Sequence, residues 1–175
     1  MVKFNIFSKH NSLNIKLREK LPRNEYVWYA CSKHLWETLN SYGCTPNKSL
    51  TLQFPKESIF IESDKYCKED LIRHFIRGYF DGDGCISYNK YKYTIVPRCS
   101  VLGTKDFIEQ VRKYSGLNDS LIQVLFNKHE YFNLKLNKEE SIKFMTWLYE
   151  KSTIYLDRKY LRYSLFKDSN YEIPF

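Results

Sequence analysis

The sequence predicts an α+β fold. Three observations carry the prediction. From Glu69 onward the patterned segments run helix, strands, helix, strands, helix. The strand candidates come in pairs joined by polar turns. Lys and Arg are interleaved among fifteen Tyr and twelve Phe, an alternation that suits strands with one packed face and one basic face.

Short β patterns occur in KFNIF and SLNIKL, on either side of a polar turn at Lys9 to Asn11. EYVWYACS reads as another strand. It leads into SKHLWETLNSYG, where Ser32 caps a helix with Leu35, Trp36 and Leu39 on its apolar side, and Gly43 ends it. LTLQFP reads as a short strand stopped by Pro55. Lys56 to Lys68 is polar and turn-rich, a linker by composition. Glu69 opens a helix with Leu71, Ile72, Phe75, Ile76 and Tyr79 on a broad apolar stripe, bordered by Arg73 and Arg77 at i,i+4 spacing, and GDG ends that run. CISYNKYKYTIVPRCSVLG alternates as two strands with a turn near Asn89. TKDFIEQVRKYSG is a helix capped by Thr104 and closed near Gly116. SLIQVLF and YFNLKL form a second strand pair, KEESIKFMTWLYE a further helix, and YLDRKYLRYSLF a basic, aromatic end. The half before Glu69 repeats only the later part of this order.

A chain of 175 residues can bury a core as one domain or two joined halves. Its five cysteines (Cys31, Cys44, Cys67, Cys85, Cys99) are scattered singly, without the close pairs of a structural zinc site, and no secretory leader precedes them. Free thiols in a reducing, intracellular compartment are expected. No run reaches the roughly 18 apolar residues of a membrane span, so a soluble chain with no membrane partner is expected. The net charge of +8, from 28 Lys and Arg against 20 Asp and Glu, permits neutralisation of nucleic-acid phosphates but does not require it, because solvated faces are equally basic.

The most informative stretch is FIRGYFDGDG, Phe75 to Gly84. Each glycine inside a helix costs about 1 kcal/mol relative to alanine. Their placement around Asp81 and Asp83 therefore predicts a helix end where backbones approach closely or bend sharply. Carboxylates there suit a divalent cation that positions phosphate and water. Taken alone, DGDG also fits a helix end followed by an Asp-Gly turn, whereas EF-hand spacing is not met after Asp81, Asp83 and Ser87.

The same ten residues resemble the signature of the LAGLIDADG homing endonucleases, with Ile76, Gly78, Phe80, Asp81, Gly82, Asp83 and Gly84 at its characteristic positions. GTKDFIEQV resembles the helix start after the first strand pair, and LYEKSTIYLDRKY the usual end of the domain. SKHLWETLNSYGCTPNKSLTLQFP resembles the tail of a preceding domain. On this reading residues 1–55 are a partial or atypical LAGLIDADG-like domain lacking the motif helix, 56–68 a linker and 69–175 a complete domain.

The resemblance implies an αββαββα domain whose saddle-shaped antiparallel sheet lies in the DNA major groove, with motif helices packed together through Gly78. It implies Asp83 as the catalytic, metal-ligating carboxylate, Gly82 as a backbone carbonyl near the metal, and Asp81 and Gly84 as helix-end residues. Lys159 matches the basic residue at the domain's closing end, expected to polarise the water network. Lys48 matches its equivalent in the preceding domain. Arg158 is a phosphate-contact candidate and Ser100 a second polar group near the metal. Readout is expected from Lys90, Lys92, Arg98, Gln123, Asn133 and Lys135 on the strands.

The implied activity is hydrolysis of a long, specific duplex DNA site with Mg2+ or Mn2+. The alternative is a non-cleaving DNA-binding protein or an RNA-splicing maturase, with intron RNA as its partner. One motif per chain makes partnership central: a homodimer through the 69–80 helix, or a complementary N-terminal half carrying a second motif.

Overall fold

The computed structural model describes residues 3–7, 16–20, 25–44, 51–91, 95–117, 122–126 and 130–167. The chain divides into two compact units, Met1–Lys48 and Ser49–Phe175.

In the first unit, strands β1 (Lys3–Phe7), β2 (Lys16–Lys20) and β3 (Glu25–Cys31) form a sheet of order β1-β3-β2. β3 lies parallel to β1, with Lys3 opposite Val27, and antiparallel to β2, with Lys20 opposite Glu25. Helix α1 (Lys33–Ser41) follows, and the Leu35 N–H donates to Ser32 Oγ at 3.2 Å, satisfying one of the first-turn amides. Gly43 at φ 87° takes the left-handed turn after the helix. Lys16 and Leu17 of SLNIKL open β2; its first four residues and the turn at Lys9 to Asn11 lie outside the described residues.

The second unit runs α2 (Lys68–Asp83), β4 (Cys85–Lys90), β5 (Ile95–Gly103), α3 (Lys105–Ser115), β6 (Ile122–Phe126), β7 (Glu130–Lys135), α4 (Lys138–Tyr149) and α5 (Asp157–Lys167). Its antiparallel sheet has the order β4-β5-β7-β6. Alternation along β5 sends Cys99 and Val101 into the core beside Ile86 and Leu134. The helices cover them with Ile72, Ile76 and Phe80 from α2, Phe107 and Val111 from α3, Phe144 and Leu148 from α4, and Tyr163 from α5. Thr104 Oγ1 accepts from the Phe107 N–H at 3.4 Å, and Gly116 closes α3 at φ 63°.

This architecture corrects the expectation of an αββαββα domain built on a saddle-shaped antiparallel sheet. The fold is α+β with five α-helices among the described residues, and its strands form two separate open sheets rather than one curled saddle. The first sheet contains a parallel pair, and a further helix, α5, follows α4. Side-chain alternation has the same period of two in either strand direction, so it cannot report direction or sheet membership; backbone pairing decides both.

Of LTLQFP, Thr51 to Pro55 form no strand, and Leu50 lies outside the described residues. Leu52, Phe54 and Phe60 instead lie partly buried against the core of the second unit. Phe54 meets Phe75 edge-on and stacks on Tyr114, each with centroids 5.3 Å apart, while Thr104 Oγ1 donates to the Leu52 carbonyl at 2.6 Å. Its alternating apolar residues find helices to cover, not a partner strand. Residues 56–68, read from composition as a linker, also lie in this unit. Glu57 accepts from Tyr114 Oη at 2.7 Å and from Lys68 Nζ at 2.5 Å, fastening this segment to α3 and to the start of α2. No helix among the described residues is long and apolar enough to cross a membrane.

Candidate carboxylate site and nucleic-acid interface

α2 does not stop before GDG: it runs through Asp81, Gly82 and Asp83, with Gly84 as its cap. Contacts from α4 and α5 hold that last turn. Tyr149 donates its hydroxyl to Asp81 Oδ1 at 2.6 Å, and the Leu156 N–H donates to Asp81 Oδ2 at 3.1 Å, so both oxygens of Asp81 are engaged in the fold. Lys159 is 2 % exposed, and its ammonium donates to the carbonyls of Phe80 and Gly84. Both carbonyls lie at the end of α2, where Phe80 O also accepts from the Gly84 N–H at 2.9 Å, and a cation there is favoured by the helix dipole. Burial, and then the charge of Arg158, lower the Lys159 pKa to about 8, against the pull of Asp81, Cys85 and Asp83.

Gly84 is required by close approach: a Cβ there would overlap the buried ring of Phe80. Gly78 and Gly82 differ. Both are exposed, and a Cβ on either would meet nothing within 4 Å. Asp83 ends the helix, exposed. Its charge adds to burial in raising the pKa of Tyr79 to about 12; the Tyr79 hydroxyl donates to the Leu102 carbonyl at 2.7 Å. Thus, of the two acids in the motif, Asp81 is held by Tyr149 and the Leu156 N–H, and Asp83 is the more exposed.

Two residues beyond Asp83, β4 begins, and the register carries the site across the sheet. Cys85 pairs with Ser100, and Ser100 with Lys135. Ser87 pairs with Arg98, while Leu102 and Gln123 flank Asn133. All these positions alternate away from Ile86, Cys99, Val101 and Leu134, so they share the face opposite the helices. No Asp or Glu occupies an outward register position of β4, β5, β6 or β7. A cavity of about 270 Å³ opens on this face, lined by Ser87, Asn89, Arg98, Ser100 and Lys135 above Cys99 and Leu136. Among the described residues, Arg98 Nε and Asn133 Oδ1 are buried without a hydrogen-bond partner, and Asn133 is 5 % exposed.

The structure thus brings Arg98, Ser100, Gln123, Asn133 and Lys135 to one face. Lys90 does not join them, since it shares the parity of Ile86 and lies exposed at the far end of β4. Arg158 is exposed on α5. Lys48 and Lys92 lie outside the described residues.

Sequence reasoning missed Tyr149, the Leu156 amide, and Arg162, whose guanidinium donates to the Ile86 carbonyl. Tyr149 meets Asp81 across 68 positions of sequence, and in the sequence it reads simply as an apolar helix residue. Among the described residues no three His, Cys, Asp or Glu side chains gather as a metal cage.

No family model matches the chain, and no curated protein matches it. Among solved structures it resembles the crystal structure of a homing endonuclease, I-TnaI, at 19% identity and a TM-score of 0.36. The match covers 50% of this chain and 64% of that one, under two thirds of its length. This is a weak, distant structural link to a homing endonuclease, and at that level it assigns neither family nor activity.

Proposed function

We propose that this chain is a site-specific DNA endonuclease of the LAGLIDADG homing type, hydrolysing duplex phosphodiesters with a divalent metal. The observation that carries the reading is the separation of the two motif acids: Asp81 is consumed by Tyr149 and Leu156, while Asp83 stands exposed at the helix end beside an acid-free polar sheet face.

The donor set fits Mg2+ or Mn2+ as one half of a shared site. Magnesium uses one or two carboxylates and fills its remaining positions with water and substrate oxygens. This chain offers Asp83 and the Gly82 carbonyl of the last helical turn. When bound, the metal would supply Lewis-acid stabilisation of phosphoryl oxygens and a more acidic water. The chain's own work is to hold the Asp83 turn rigid through Asp81 and Lys159, and to seat the duplex on the outward face of β4, β5, β7 and β6. A second carboxylate must come from another α2, in a second copy or in a complementary N-terminal half, against the open face around Gly78. That requirement also favours a second reading, a non-cleaving DNA-binding protein or RNA-splicing maturase, since one copy provides a single exposed motif acid.

Incubation of purified protein with a randomised duplex library and Mg2+, beside Asp83→Asn, decides between them. Double-strand products lost in the variant support the nuclease. Duplex binding without cleavage by the folded wild-type protein removes it.

A further inference from the structure

We propose that the cavity lined by Ser87, Asn89, Arg98, Ser100 and Lys135 is a phosphate-binding pocket, and that Lys135, not Lys159, is the lysine that meets a nucleic-acid phosphate at the α2 end of the sheet. The inference rests on the duplex-binding reading given above. It starts from the state of Lys159. That ammonium has three donors; two are given to the Phe80 and Gly84 carbonyls, and it lies 4.8 Å from the Phe80 ring centroid in a buried position. Turning it toward a ligand would break both of these charge-assisted bonds and take from the half-buried Gly84 carbonyl the ammonium it accepts from. Lys159 is therefore a positioning residue, which acts on the Asp83 turn through the backbone.

Lys135 has the opposite character. It is exposed, and it sits in the cross-strand row Cys85–Ser100–Lys135 that begins two residues after Asp83. At about 4.8 Å between neighbouring strands, that row is about 10 Å long.

The lining has the chemistry of an anion site: two fixed cations, two hydroxyls, one amide and no carboxylate. Arg98 contributes a buried Nε donor without an acceptor among the described residues. A phosphate presents only acceptors, and the planar guanidinium fork matches them two at a time. A guanine edge also offers two acceptors, O6 and N7, but a phosphate contact is the same on every sequence, and that is what the test reads.

The test is the salt dependence of binding to a labelled, random-sequence duplex, followed by fluorescence anisotropy between ~50 mM and ~200 mM salt. Lys135→Gln is expected to lower the slope of log affinity against log salt by about 1, equally on unrelated sequences, and Arg98→Gln to do the same. Lys159→Met is expected to leave the slope unchanged while lowering thermal stability. A full slope in Lys135→Gln overturns the proposal, as does a unit loss of slope in folded Lys159→Met. Lys135 is exposed, so its variant is expected to fold and carries the test if Lys159→Met does not. If the wild-type protein binds no duplex, the nuclease reading fails, and the pocket is then tested separately with inorganic phosphate. Amide NMR shifts at Arg98 and Ser100 that disappear in Lys135→Gln sustain it; their absence in the wild type overturns it.

Discussion

The Tyr149 hydroxyl donates to Asp81 Oδ1 at 2.6 Å, tying the end of α4 to the last turn of α2. Burial, followed by the neighbouring Asp81 carboxylate, pushes the Tyr149 pKa far up, so the phenol stays a donor throughout the accessible pH range. Tyr149→Phe keeps the ring against Phe80 and Tyr163 but removes the donor from a carboxylate. A hydrogen bond to a charged group is worth about 1.5–3 kcal/mol. A loss of about 2 kcal/mol is expected in urea unfolding, with m unchanged.

Lys159 makes stability depend on alkaline pH. Its folded pKa of about 8 lies below the ordinary lysine value of 10.5, so between those values the unfolded chain holds the proton more tightly. Raising the pH through this window removes that advantage of the unfolded state, and the contribution of Lys159 to stability increases. The difference in urea midpoint between wild type and Lys159→Met should grow from pH 8 toward 10.5. A constant difference would count against a buried ammonium.

His74 gives the opposite edge of the pH range. Arg77 Nη1 lies 2.6 Å from His74 Nδ1, and because arginine only donates, Nδ1 must be the unprotonated acceptor. Burial first, then Arg77 and Arg73, hold the imidazole pKa below 6.5, with Asp70 opposing them. As the pH falls through 6.5 the unfolded chain binds the proton first, so stability declines until the folded imidazole is also protonated. Thermal melts of His74→Gln should show a flatter decline from neutral pH to about pH 5.

Two glycines in one motif should respond in opposite directions. Gly84→Ala drives a methyl into Phe80, a ring with no exposure that packs edge-on against Phe144 at 5.4 Å, and is expected to cost about 1–3 kcal/mol. Gly82→Ala enters open space within the helix and is expected to stabilise by about 0.5–1 kcal/mol. Urea titrations of the pair separate steric need from chain entropy.

Local rules made several helix ends in both units legible. Ser32 and Thr104 were readable as caps because a hydroxyl just before an apolar helical period satisfies a first-turn amide. Gly116 was readable as a stop because it takes a left-handed conformation. LTLQFP failed for a complementary reason: its alternation marks residues that need covering, and here the cover is an aromatic cluster. The site divides in the same way. Asp81 and Asp83 are visible as a pair, but which of them is consumed depends on Tyr149 and Leu156, far away in sequence.

The sequence by itself determined the periods, the caps and the acidic turn, because these follow from spacing within short segments. Only the tertiary structure decided that the strands form two open sheets, that Lys159 turns inward to two carbonyls, and that Lys135 shares a row with Ser100 and Cys85. The physical reason is that hydrogen-bond partners and strand neighbours are chosen by chain closure over long separations, where propensity and periodicity carry no information.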